Sequence, residues 1–109
     1  MRKGAEFEDF AVEYLRSIGY HIIHRNYRCK GGELDIIALD GNRLVFVEVK
    51  GGRAKELGDP VERIDRRKMK RLLSCIEEYL SKNPVENYGF EVVVVRGPFV
   101  EHIREVEFE

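Results

Sequence analysis

The sequence predicts an α/β domain with a mixed central sheet and elements in the order α-β-β-β-α-β. Three observations carry that expectation. Two segments, Phe7 to Ile18 and Val61 to Leu80, space their apolar residues with a helical rhythm. Between them, two β-branched runs, Leu34 to Leu39 and Leu44 to Val49, flank a short turn signal, the pattern of a β-hairpin. After the second helical segment, Phe90 to Val95 is an unbroken apolar run, as in a strand covered on both faces.

In order along the chain, Phe7, Phe10, Ala11, Tyr14, Leu15 and Ile18 predict a helix from about Lys3 to Ser17, ended by Gly19. Tyr20 to Tyr27 reads as a short strand. Within it, His21 and His24 are three apart and on a regular strand face opposite ways, so they do not chelate one metal together. Gly31-Gly32 opens the hairpin. Gly41-Asn42 suits a two-residue loop, which pairs Asp40 with Arg43 and sets Asp35 opposite Glu48; a turn at Asp40-Gly41 would instead set Asp35 opposite Phe46. A glycine-bearing polar loop, Gly51 to Gly58, leads to Asp59-Pro60-Val61-Glu62, a helix-start signal. That helix runs to about Ser81, with Val61, Ile64, Leu72, Leu73, Ile76, Tyr79 and Leu80 as its apolar stripe, and Asn83-Pro84 ends it. Gly97-Pro98 makes a turn, and Phe99 to Phe108 reads as one or two weak edge strands.

Composition narrows the class. At 109 residues the chain makes one domain, residues 1–109, with one modest core. No apolar run approaches the roughly 18 residues of a membrane span, and the basic N-terminus lacks the apolar stretch of a secretory signal. Cys29 and Cys75 are single and far apart, which predicts neither a disulfide nor a zinc site and points to a cytoplasmic protein. The net charge of −1 hides an uneven distribution: Arg63 to Arg71 holds six bases and one acid, Glu101 to Glu109 four acids and one arginine.

The chemistry gathers on the hairpin. In either register Asp35, Glu48 and Lys50 share one face, and two neighbouring carboxylates there repel each other. Their partner is either a cation from solution or a basic side chain. Mg²⁺ suits such a pair, because it prefers oxygen ligands and commonly binds through one or two carboxylates plus substrate phosphates, and Mn²⁺ can substitute. A lysine beside it orients the attacking water or neutralises developing charge. Taken alone, a Glu-Val-Lys strand is usually a solvated face. Glu33, two residues before Asp35, either extends this set or ends the strand. Glu8 sits at the edge of the first helix's apolar stripe, where a packed stem and a wet head are the ordinary arrangement.

The flanks add a resemblance. Asp35, twelve residues, then Glu48-Val49-Lys50 within apolar strands resembles the core motif of the PD-(D/E)XK nuclease superfamily, the restriction-endonuclease-like fold. More narrowly, Arg25-Asn26-Tyr27-Arg28-Cys29, Gly32 to Ala38, Val45 to Lys50, Asp65 to Lys68 and Phe90 to Val93 are similar to the YraN-like family of predicted endonucleases, and Arg2 to Glu8 resembles archaeal Holliday junction resolvases. The chain departs from the YraN-like pattern at Phe7, where glycine is usual, at the glycines after Lys50, and at Glu91, where aspartate is usual. The resemblance implies a Mg²⁺-dependent endonuclease of a single restriction-endonuclease-like domain, acting on branched DNA such as Holliday junctions as a homodimer. It assigns Asp35 and Glu48 as metal ligands, Lys50 as catalytic lysine and Glu8 as a further carboxylate of the site. Arg25, Arg28, Lys30, Arg53, Arg67, Lys68 and Arg71 are the candidate phosphate contacts, with Lys68 first, although a basic helix face is as often simply solvated. The rivals are a nucleic-acid-binding module of the same fold without cleavage, and an interaction protein that pairs through its basic helix and acidic tail.

Overall fold

The structure, a computed structural model, describes residues 5–51 and 66–106. Its elements are α1 (Ala5–Ser17), β1 (His21–Cys29), β2 (Gly32–Asp40), β3 (Arg43–Gly51), α2 (Arg66–Lys82), β4 (Tyr88–Arg96) and β5 (Phe99–Val106). The strands form one sheet in the order β1-β2-β3-β4-β5. Only β3 and β4 pair in parallel, and the other three pairs are antiparallel. This is the expected mixed-sheet α/β domain. The C-terminal segment resolves into one edge strand, β5. The expected start of the second helix, Asp59 to Asp65, and the candidate Arg53 lie outside the described residues.

Each helix covers one face of the sheet. Ala11, Val12 and Leu15 of α1 pack on Ile36, Ala38, Val45, Val47, Val93 and Val95. Leu72, Cys75, Ile76 and Tyr79 of α2 pack on the opposite face, against Leu34, Ile37, Leu44, Phe46, Phe90, Val92 and Val94. The β4 run is therefore buried on both sides, which is why it carries no polar alternation. Leu73, expected in the α2 stripe, is exposed instead. α1 ends as Gly19 predicts: its φ of 96° suits glycine, and the Tyr20 N–H donates to the Leu15 carbonyl at 2.9 Å.

The hairpin takes the Gly41-Asn42 register. Asp40 faces Arg43, and pairing continues to Ile36 and Val47. Gly41, with φ of 63°, supplies the left-handed residue that a two-residue turn needs at its first position. On β1 the register shifts between Ile22 and His24, so the strict alternation that would put His21 and His24 on opposite faces is interrupted.

Cys29 and Cys75 are joined in a disulfide, contrary to the sequence expectation. The two cysteines are 46 residues apart in sequence, but the end of β1 and the middle of α2 bring their Cα atoms within 5.4 Å. Oxidised cysteines remove the reason for placing the chain in a reducing compartment. Among the described residues, no helix is long and apolar enough to cross a membrane.

One buried acid ties three strands and the α1–β1 connection together on the α1 face. Glu91 is fully buried and accepts hydrogen bonds from Tyr20 Oη (2.9 Å) and Arg43 Nη1 (2.6 Å), with His102 Nε2 at 2.6 Å. Burial pushes its carboxyl up, but His102, Arg43 and Tyr20 together hold it below the ordinary carboxylate value. Arg43 reaches Glu91 across Gly89, where any Cβ would collide with the guanidinium.

Candidate active site

Beyond Ile36 and Val47 the β2–β3 pairing changes character. Asp35 turns its carboxylate onto the opposite strand, where Oδ2 accepts the Val49 N–H at 2.9 Å. Asp35 and Glu48 both line one small cleft, close enough for the Glu48 charge to act on Asp35. Burial, then the charge of Glu48, pushes the Asp35 carboxyl from 3.8 up to about 7; the Val49 N–H opposes this, and Glu8 adds to it. Two acids held this close out of water cannot both ionise at little cost.

Glu48, 4% exposed, is the deeper of the pair. Its Oε1 lies 2.5 Å from Lys68 Nζ of α2. Burial alone would lower the Lys68 ammonium, yet Glu48 and, further off, Asp35 hold it net above its ordinary value. The basic partner that the carboxylates demand is thus Lys68. Asp35, Glu48 and Lys68 line one cleft, and the Lys68 contact comes from α2, beyond what the hairpin's shared face predicts.

Around them is a cleft of about 210 Å³ lined by Gly32, Glu33, Asp35, Glu48, Lys68, Arg71 and Leu72. Glu33 therefore belongs to the site rather than merely ending its strand. Lys68 and Arg71 are three apart on α2 and stand on one side of the helix. α2 is seated against the β1–β2 turn by the disulfide and by Glu78 Oε1, which accepts the Lys30 N–H at 3.3 Å. Gly32 lies against the Arg71 side chain and the Cys75 sulfur.

Glu8 comes in from the other helix. It is buried, with 6% exposure, so the expected wet head is not what the fold provides. The Phe7 ring lies on Gly51, where any Cβ would overlap it, and this docks the first turn of α1 on the end of β3. The two departures from the family pattern, Phe7 and the glycine after Lys50, fit each other.

Of the remaining candidate phosphate contacts, Arg25 is drawn to α1, where its Nη2 lies 2.5 Å from Asp9 Oδ1. Arg28, Lys30 and Arg67 are exposed and do not line the cleft. Among the described residues no three His, Cys, Asp or Glu side chains gather closely enough to enclose a metal by themselves. The donor set nevertheless fits Mg²⁺: two carboxylates, excess negative charge from Glu8 and Glu33, and an open side for waters and a phosphate.

Fold and site together define a small α/β domain with a paired-carboxylate, lysine-flanked cleft at the end of a β-hairpin. The chain belongs to the uncharacterised protein family UPF0102, which matches residues 7–95. It is 40% identical over 104 residues to a UPF0102 protein of Sulfurihydrogenibium sp. (strain YO3AOP1), covering 94% of this chain and 90% of that relative. A UPF0102 protein of Caldicellulosiruptor saccharolyticus is 46% identical over 94 residues, 84% of this chain and 80% of the relative. One of Thermotoga maritima is 46% identical over 81 residues, 74% and 73% respectively.

Proposed function

We propose that this protein is a Mg²⁺-dependent endodeoxyribonuclease with the restriction-endonuclease-like fold of the PD-(D/E)XK superfamily, acting in the cytoplasm as a homodimer on branched DNA such as Holliday junctions. The observation that carries the reading is the pairing of half-buried Asp35 and buried Glu48 with Lys68 in one polar cleft, with Lys50 two residues beyond Glu48 on β3. Lys68 compensates Glu48, yet burial and the neighbouring Glu48 still push the Asp35 carboxyl up, so the pair keeps an affinity for further positive charge. A divalent cation would supply that charge, and when bound would polarise the phosphodiester and acidify a water. Asp35, fixed by the Val49 N–H, and Glu48 are the residues that would hold it. Lys50 orients the attacking water or neutralises charge growing on the phosphate oxygens. Arg71, with Lys68 on the same side of α2, contacts the DNA backbone, while Arg28, Lys30 and Arg67 add charge outside the cleft. Two copies match a junction with two strands to cut.

The test is cleavage of a labelled four-way junction, beside linear duplex and single strand, with Mg²⁺, Mn²⁺ or EDTA. Cutting that needs metal and vanishes in Glu48→Gln is the expected result. Tight binding without cutting in any metal would replace this reading with that of a non-catalytic nucleic-acid-binding module.

A further inference from the structure

Lys68 Nζ stands 2.5 Å from Glu48 Oε1, inside the shell in which a divalent cation on that oxygen would have to place itself or its waters. Glu48 is almost wholly buried, so it has little other surface on which to take a second cation. The cleft is small, about 210 Å³, and an ammonium and a divalent ion sharing it repel each other strongly at such separations. Lys68 is itself partly exposed, at 36%, and is carried on the same side of α2 as Arg71. Its long stem can swing outward while its helix stays in place.

We infer that Lys68 is an internal counter-ion that holds the metal position on Glu48 in the metal-free protein, and that a divalent cation binds only by displacing its ammonium towards the phosphate-facing side of α2. This rests on the metal-dependent reading of the same cleft and adds its regulation. The ammonium keeps the acid pair compensated when no metal is bound. A DNA phosphate that draws Lys68 outward helps the metal to enter, so metal and DNA favour each other's binding by equal factors.

The experiment is a calorimetric titration of the intact protein with Mn²⁺ at pH 8, for wild type, Lys68→Met, Lys68→Arg and Glu48→Gln. Lys68→Met removes the competitor and is expected to bind Mn²⁺ tighter by up to about fivefold, the worth of one partly exposed ion pair. Lys68→Arg, whose planar fork grips a carboxylate more firmly, is expected to bind more weakly than wild type. A residue with a merely structural role would not move affinity in opposite directions in these two variants. Mn²⁺ binding that is lost in Glu48→Gln but equal or weaker in Lys68→Met overturns the displacement and leaves the metal-dependent reading standing. If Lys68→Met does not fold, Lys68→Arg decides, and equal or tighter binding in it overturns the displacement. No Mn²⁺ binding by any of the four proteins overturns both.

Discussion

Asp35→Asn isolates the electrostatic tension in the cleft. Asparagine keeps an oxygen that accepts the Val49 N–H and removes the charge, so it imitates a permanently neutral Asp35. In the wild type, burial and then Glu48 raise this carboxyl from 3.8 to about 7. The folded state therefore binds the proton more tightly than the unfolded state, and stability present below about pH 4 is lost as pH rises towards about 7. Three units of difference correspond to about 4 kcal/mol in full. Roughly half of that, ~2 kcal/mol, is lost between pH 5.5 and 8.5, or ~8 °C in Tm for a domain of 109 residues. Glu91 has the opposite sign: its lowered carboxyl stabilises above the ordinary carboxylate value and fails as pH falls below it, outside this window. Thermal melts of the metal-free protein in EDTA, wild type beside Asp35→Asn, read the difference directly. Asp35→Asn is expected to lack the alkaline decline and to melt higher than wild type at pH 8.5. Parallel pH profiles, or a variant less stable at pH 8.5, would refute the argument.

Two further outcomes concern the packing that holds the cleft. Gly51→Ala drives a methyl into the Phe7 ring and is expected to cost about 1–3 kcal/mol, with Phe7→Ala restoring much of it; denaturant melts of the double-mutant cycle would show strong coupling, and additive losses would contradict the contact. Reducing the Cys29–Cys75 bond, which closes a 46-residue loop, is expected to lower stability by about 4 kcal/mol, and an unchanged melt of the demonstrably reduced protein would show that the cross-link contributes nothing.

What was legible in the sequence was local or periodic. The hairpin was legible with two possible turns, both of which set Asp35, Glu48 and Lys50 on one face, and the fold takes the Gly41-Asn42 turn. The unbroken Phe90 to Val95 run announced a strand covered twice. Contacts between elements were not legible. Lys68 was ranked first as a phosphate contact, but its pairing with Glu48 depends on how α2 lies across the sheet. Arg25 looked equally basic in sequence, and the fold turns it towards Asp9 instead. The residues around Glu8 suggest only a wet boundary position, since its own helix cannot show that the Phe7–Gly51 contact presses that turn onto the end of β3; only the family resemblance points it to the site. The disulfide escaped for the same reason. Glu91, a lone acid in an apolar run, gave a signal of its own: such a residue needs partners, though not even the run could name Tyr20, Arg43 and His102.

The Cys29–Cys75 bond also defines a boundary. Asp35, Glu48, Lys50, Lys68 and Arg71 all lie within the covalent loop it closes, whereas Glu8 lies outside it. With the bond intact, the hairpin and α2 cannot drift apart, so partial opening that separates Lys68 from Glu48 is suppressed beyond what local packing achieves. α1 lies outside this loop and is held by non-covalent contacts, its apolar stripe on the sheet and the Phe7 ring on Gly51. The acidic site is thus divided in connectivity: a pair of carboxylates inside a covalent loop, and a third carboxylate held beside them by packing.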